Sequence, residues 1–98
     1  MVNLFSTNRV LEWDALARGS LPRQAFELAV WFPDTSPLAG DLDTLVAVRN
    51  ALGRDAPFVV VGGNERLARV RELVETAGLS RFSTRPLTPL IGVLLLRR

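Results

Sequence analysis

The sequence predicts an α/β fold: a small mixed or mostly parallel sheet with helices packed mainly on one face. Two observations support this prediction. Residues 26–32 and 58–61 are apolar segments of strand length. Each is followed by a stretch with apolar residues at helical spacing, at 42–52 and 65–77. This order is typical of βαβ units, so we expect the two strands to be parallel and adjacent, joined by a right-handed crossover.

The first strand, FELAVWF at residues 26–32, has two alternating sets of side chains. We expect the first set to face the core: Phe26, Leu28, Val30 and Phe32. The second set contains Glu27, Ala29 and Trp31. Trp31 then lies away from the core, where the chain ends, a second subunit or a partner must cover it. Packing against Trp13 or the C-terminal apolar run is one explanation, and a partner interface is the other.

Both helices have recognisable start signals. Asp41 is placed to cap the helix over residues 42–52, and its charge suits the positive end of the helix dipole. Asn64 is an N-cap residue for the helix over residues 65–77, and Gly78 follows that helix. We therefore expect the side chain of Asn64 to accept a hydrogen bond from the first turn of its own helix.

The two ends of the chain leave alternatives open. The segments VNLF and NRVLEWD each hold enough apolar residues for a short strand, whereas LEWDALARG could equally form a turn or two of helix. The last segment, STRPLTPLIGVLLLRR, begins with two bends marked by proline. It ends in an apolar run that fits either a last strand or a last helix packed on the sheet.

The composition limits the available chemistry. The chain has 98 residues and 48% hydrophobic content, which is enough for one domain over residues 1–98. Its basic residues are all arginine, they are interspersed with ten carboxylates, and they form no patch of the kind that binds nucleic acid. Without histidine, lysine, cysteine or tyrosine, general bases, activated nucleophiles and transition-metal ligands are scarce. We predict a non-catalytic domain with no cofactor and no metal.

The sequence also carries no membrane or export signal. No segment reaches the roughly 18 consecutive apolar residues of a membrane span. The N-terminal segment MVNLFSTNRV lacks the basic start, the long apolar stretch and the cleavage site of a secretory signal. We expect a soluble cytoplasmic protein.

The stretch FVVVGGNERL places Gly62 and Gly63 between the second strand and its helix. A dinucleotide-binding turn needs G-x-G-x-x-G, and a P-loop needs G-x-x-x-x-G-K-[ST]. The segment GGNERL matches neither pattern, and it has no lysine to reach a phosphate. A helix N-terminus can still hold an anion, but a turn followed by a helix cap is the expected role of these residues.

The segment PLAGDLDTLVAVRNALGRDAPFVVVGGNERLARVRELVETAGLSRF resembles the STAS domain, the family of the anti-anti-sigma factors, over about half of the chain. That family has a strand, a loop reading approximately D-S-S-G-L, a helix that starts at the leucine, a short apolar strand, and a helix that closes on Gly-Leu and an aromatic residue. The N-terminal part of this chain is shorter than the family's usual opening.

The family's loop motif falls on LAGDL, with Leu42 at the motif's leucine. The motif's aspartate is then Leu38, and its regulatory serine corresponds to Ala39 or Gly40. Neither of these two residues can accept a phosphate, so the resemblance implies an interaction domain whose switch is absent at the aligned positions. We expect the loop over residues 34–41 to act as a constitutive docking surface.

The resemblance thus implies a regulatory module that docks a protein partner, such as an anti-sigma kinase or a related regulator. The expected partner-binding residues are Asp34, Thr35, Ser36, Leu38, Ala39, Gly40, Asp41 and Trp31. The alternative is a small anion- or nucleotide-binding α/β domain or enzyme subunit. It would use the helix N-termini near Asp41 and Asn64, with Asp34, Asp41 and Asp43 as its carboxylates.

Overall fold

A sheet and two helices make up the part of the chain that this computed structural model describes, residues 1–14, 20–35 and 38–98 without the side chain of Phe82. The strands are β1 (Val2–Ser6), β2 (Arg9–Trp13), β3 (Leu28–Trp31), β4 (Phe58–Gly63), β5 (Ser80–Pro86) and β6 (Ile91–Arg97). The helices are α1 (Asp41–Ala51) and α2 (Asn64–Leu73), and short 3-10 turns form at Pro33–Thr35 and Leu38–Gly40.

The sheet is mixed, with the strand order β2-β1-β3-β4-β6-β5. β3 and β4 are parallel neighbours, and Ala29 is paired with Phe58. The other neighbouring pairs of described strands are antiparallel. The predicted parallel pairing of the two central strands, with a helix between them in sequence, is therefore confirmed, and the outer strands extend this pair in antiparallel fashion on both sides.

One hydrophobic core lies between the sheet and the two helices. From the helices it receives Leu45, Val48, Ala51, Leu67 and Val70. From the sheet it receives every second residue of four strands: Val2, Leu4, Ala29, Trp31, Phe58, Val60, Leu94 and Leu96. Each fully buried Leu, Val or Phe side chain contributes about 1.5–3 kcal/mol relative to exposure. The helices thus cover one face of the sheet.

The predicted orientation of Trp31 is wrong. Its side chain is 1% exposed, and its ring centroid lies 6.3 Å from that of Phe58. Ala29, from the same predicted set, is fully buried. Because the pairing of β3 with β4 aligns Trp31 with Val60, both side chains point to the helix side of the sheet. The protein's own core covers Trp31, so the ring offers no surface for the predicted partner contact.

The residues predicted to face the core divide into two groups. Phe26 is buried, and its backbone forms an isolated parallel bridge with Leu52. Leu28 and Val30 are only half-buried, and Phe32 is 44% exposed. The pattern of alternating side chains did not predict the inward face because both faces of β3 are apolar. Such a pattern indicates a strand, but it does not show which side faces the core.

The ends of the chain form two antiparallel hairpins. β1 and β2 pair at one side of the sheet, and β5 and β6 pair at the other. The last apolar run is therefore a strand, and RVLEW is a strand as well, while residues 15–19 of the helical alternative lie outside the described residues. The predicted helix over 65–77 ends earlier, at Leu73, and a turn leads to Gly78, whose φ of 80° favours glycine. Among the described helices, neither is long and apolar enough to cross a membrane.

The position of Trp31 in the core gives a first prediction. Trp31→Ala should lower the free energy of unfolding by about 3–5 kcal/mol, because it removes the largest fully buried side chain of the described core. Leu87→Ala is the control, since Leu87 is 61% exposed and its loss should change stability by less than about 0.5 kcal/mol. Urea unfolding followed by far-UV circular dichroism measures both changes. Equal effects in the two variants would contradict the buried position of the ring.

Candidate docking surface

The candidate site lies where β3 and β4 end. Because these two strands are parallel neighbours, their carboxyl ends meet at one edge of the sheet, the usual position of binding sites in open α/β folds. After β3 the chain passes through the two 3-10 turns into α1, and after β4 it enters α2 directly. The turn between β5 and β6 reaches the same edge, where the Asn64 N–H donates a hydrogen bond to the Leu90 carbonyl at 3.1 Å.

Asp34 connects the first loop to the end of β4. Its Oδ2 accepts a hydrogen bond from the Gly63 N–H at 2.7 Å. A Cβ on Gly62 would lie 3.3 Å from the same carboxylate, so glycine at position 62 allows this close approach. A negative side chain at the start of α2 is also favoured by the helix dipole. The protein's own carboxylate thus occupies the position that an external anion would take at this helix.

A buried ion pair joins the first turns of the two helices. Arg66 donates two hydrogen bonds to Asp41, from Nη2 to Oδ1 at 2.7 Å and from Nε to Oδ2 at 2.9 Å. The side chains of Arg66 and Asp41 are 11% and 3% exposed. The hydrogen bond to Asp41 raises the pKa of Arg66, and the charges of Asp41 and Asp34 add to this effect against the opposing effect of burial. Arg66 therefore remains charged, and the bidentate pair fixes α1 against α2.

The prediction that Asp41 caps α1 is wrong. The N-cap position is Gly40, and no side chain forms a cap hydrogen bond there. Asp41 is instead the first residue of the helix, and its carboxylate binds Arg66. The local rules for helix starts recognised the acidic residue but not its partner, because that partner lies 25 residues further along the chain.

The predicted role of Asn64 as a cap is also wrong. Gly63 occupies the N-cap position, again without a side-chain cap. The side-chain amide of Asn64 donates to the Pro89 carbonyl at 2.9 Å. Together with the backbone bond to Leu90, this contact holds the β5–β6 turn against the start of α2. Thr88 orders the same turn, since its Oγ1 accepts hydrogen bonds from the N–H groups of Leu90 and Ile91.

These contacts surround a concave surface, a shallow pocket with a volume of about 520 Å³. It is lined by Asp34, Gly63, Asn64, Glu65, Arg66 and Leu90. Large apolar side chains at this edge of the fold are exposed to solvent, among them Leu38 at 49% and Leu90 at 77%. We call the set of Asp34, Leu38, Glu65 and Leu90 the docking edge. It combines an ordered backbone with exposed apolar and acidic groups.

The predicted partner-binding residues differ in their exposure. The exposed ones are Asp34, Thr35, Leu38 and Ala39. Gly40 is half-buried, and Asp41 and Trp31 are buried. Ser36 lies outside the described residues. The Thr35 hydroxyl donates to the Phe32 carbonyl at 2.9 Å, so it takes part in the 3-10 turn. Sequence reasoning identified Asn64 only through the helix N-terminus of the alternative function, and it did not identify Arg66 or Leu90, since their roles depend on contacts between distant segments.

The three carboxylates of the enzyme alternative have different surroundings. Asp34 faces the end of β4, Asp41 binds Arg66, and Asp43 is exposed on α1. Within residues 1–14, 20–35 and 38–98, no group of three or more metal-ligating side chains is close enough to hold an ion.

Comparison of the sequence with known protein families and with curated proteins finds no match. The resemblance to STAS domains therefore depends on the order of elements and on the loop motif alone. The order β3, loop, α1, β4, α2 is present, and it is one that many small α/β domains share.

The Asp41–Arg66 pair gives a second prediction. Arg66→Ala should lower the free energy of unfolding by about 3 kcal/mol, because it leaves a buried carboxylate without its partner. The double variant Asp41→Ala, Arg66→Ala should recover part of that loss, since no buried charge remains. Arg69→Ala, at an exposed position of α2, is the matched control. Chemical unfolding measures these variants together with Asp41→Ala, and a stability loss in the double variant that equals or exceeds the sum of the two single losses would contradict the coupling.

Asn64 gives a third prediction, which separates a capping role from a donor role. Asn64→Asp keeps a good N-cap residue but removes the N–H donor that binds the Pro89 carbonyl. We expect Asn64→Asp to destabilise the fold as much as Asn64→Ala, by roughly 1 kcal/mol in thermal or chemical unfolding. A wild-type stability for Asn64→Asp, with a loss for Asn64→Ala alone, would restore the capping role.

Proposed function

We propose that this chain is a non-catalytic interaction module that docks a protein partner through the docking edge, as its resemblance to STAS domains implies. The observation that supports this proposal is the ordering of the edge by Asp34 with Gly63 and by Asp41 with Arg66. Both contacts tie the loop after β3 to the start of α2. The partner class that the resemblance implies is an anti-sigma kinase or a related regulator.

An ordered loop favours binding because a partner has less conformational entropy to remove from it. The loop here is held at several points: Pro33 is buried, Asp34 binds β4, and Thr35 bonds to the Phe32 carbonyl. The first turn of α1 is then fixed by Arg66. The surface that the partner meets is therefore formed before binding.

The exposed groups of the docking edge suit a protein better than a small polar ligand. Leu38 and Leu90 are large apolar side chains that gain stability when a partner covers them. Asp34 and Glu65 add negative charge next to the concave surface. This combination fits a partner with an apolar anchor and nearby basic side chains.

The docking edge is proposed to work without phosphorylation. At the positions aligned with the family's regulatory serine, Ala39 and Gly40 have no hydroxyl group. The Thr35 hydroxyl is engaged with the Phe32 carbonyl. A phosphate would bring about two negative charges to a surface that already carries Asp34. The docking edge is therefore constitutive.

The concave surface at the start of α2 also supports the alternative function, an anion- or nucleotide-binding domain. Against it, Asp34 already accepts the Gly63 N–H, and Arg66 already binds Asp41. An anion would have to displace one carboxylate and compete with the other. A thermal-shift screen with nucleotides and inorganic phosphate separates the two functions, since a ligand at 100 times its Kd stabilises the fold by about 2.7 kcal/mol.

The docking function gives a fourth prediction, tested by affinity capture from the native organism. Leu38→Glu and Leu90→Glu should each reduce the amount of captured partner by at least about tenfold. Each substitution places a charge where the partner would cover an apolar side chain. Val46→Glu is the matched control, since Val46 is an exposed apolar residue of α1 outside the docking edge. Equal capture by all three variants would contradict docking at this edge.

The same capture experiment tests the constitutive character of the loop. Thr35→Asp and Ser36→Asp should capture the same partners as the wild-type chain, and mass spectrometry of native protein should find an unmodified loop. Stoichiometric phosphate at either residue that releases a partner would contradict it.

A further inference from the structure

The face of the sheet that points away from the helices is apolar. Side chains alternate along each strand, so the register places Val30 beside Val59, and Val59 beside Leu95. The apolar residues on this side are Phe5, Val10, Leu28, Val30, Val59, Val61, Ile91, Val93 and Leu95. We call this surface the open face. None of these residues belongs to the core cluster beneath the helices.

A mixed sheet with one solvated face usually has polar side chains on that face. Here nine apolar residues from five strands form one continuous surface, and Val10 and Ile91 are 66% and 40% exposed. Five strands about 4.8 Å apart, with outward side chains about 6.8 Å apart along each strand, span roughly 20 Å in each direction. A patch of roughly 400 Å² is about as large as the largest apolar patch of a typical monomer, and such patches often mark interaction sites.

The area fits a second sheet. Allowing for side-chain relief, two such faces would bury on the order of 1,200 Å² together, the lower end of the range for specific protein interfaces. Two stacked sheets pack about 10 Å apart with their strands about 30° from alignment. A second sheet with the same twist and the same size is complementary to such a face.

Charges of opposite sign lie at the two sides of the open face. Glu12 on β2 pairs with Asn3 and is therefore on this face. At the other side, Arg85 on β5 pairs with Val93, and Arg97 lies two residues beyond Leu95 on β6. Most apolar residues of the open face lie between these charges, and Asn3 of β1 is a polar residue among them. The surface is thus acidic along one side, apolar in the middle and basic along the other side.

We propose that a second copy of this chain covers the open face, with a two-fold axis that runs along the strands between β3 and β4. This axis places β3 of one copy over β4 of the other, β1 over β6, and β2 over β5. The acidic side of each copy then meets the basic side of its partner. A two-fold axis across the strands would instead place β2 over β2, so that like charges would oppose each other.

The dimer would place two docking edges at one end of the assembly. This consequence rests on the proposed function. An axis along the strands keeps the carboxyl ends of β3 from both copies at the same end of the assembly. Two docking edges then face one direction, and a partner with two binding elements could engage both at once. The open face and the docking edge are different surfaces, so failure of the dimer would show in the oligomeric state, whereas failure of docking would show only in partner capture.

A charge-swap series tests the dimer and its orientation by sedimentation equilibrium of the purified chain at low salt. We expect a wild-type dimer. Glu12→Arg and Arg85→Glu should each weaken it by roughly five- to tenfold, and the double variant should restore the wild-type Kd within about twofold. Glu72→Arg, at an exposed position of α2, is the control and should leave the Kd unchanged. Failure of the double variant to restore the Kd would overturn the proposed orientation.

Substitution at the centre of the open face tests the apolar contact itself. Val30→Thr with Val59→Thr keeps the shape and the strand preference of both residues, and should weaken the dimer by at least about tenfold while circular dichroism remains unchanged. A wild-type chain that stays monomeric at about 1 mM, or a dimer with an unchanged Kd in the Thr variant, would overturn the proposal.

Discussion

The parallel pairing of β3 with β4 is the constraint on which the rest of the structure depends. Parallel neighbours require a crossover, and α1 provides it on the side of the sheet that holds the core. The same pairing brings the carboxyl ends of both strands to one edge. The loop after β3 and the start of α2 therefore lie close enough for Asp34 to reach Gly63 and for Asp41 to reach Arg66. Antiparallel pairing of these strands would place the two segments at opposite edges.

The two carboxylates at this edge, Asp34 and Asp41, differ in their exposure to solvent. Asp34 is exposed, and it accepts one backbone hydrogen bond where the helix dipole favours a negative charge. Asp41 is buried, and its two oxygens accept two hydrogen bonds from one guanidinium. The buried pair fixes the relative positions of the helices, and the exposed contact fixes the loop on top of them. Together they leave Leu38 and Leu90 exposed on an ordered frame, which is the physical basis of the proposed docking function.

Periodic segments were predictable from the sequence, and long-range contacts were not. The helical spacing of residues 42–52 and the apolar run at 58–61 identified α1 and β4 because these signals are local. The caps were misassigned because the side chains of Asp41 and Asn64 have partners 25 residues away, outside the reach of local rules. The ends remained ambiguous, since a short apolar run fits a strand or a helix until its neighbour in the sheet is known.

The misassigned face of β3 has a different physical origin, and it bears on the open face. A strand with one wet side shows which way it faces through its polar residues, but β3 has Ala29 and Trp31 on one side and Leu28 and Val30 on the other. β4 and β6 have the same character, with Val59 and Leu95 turned away from the helices. Sequence alternation could not assign the inward side because this sheet has two apolar sides and only one is filled by the described helices. Such a sheet has an apolar face available for a further layer, so the ambiguity in the sequence and the proposed second copy have one origin in the strands.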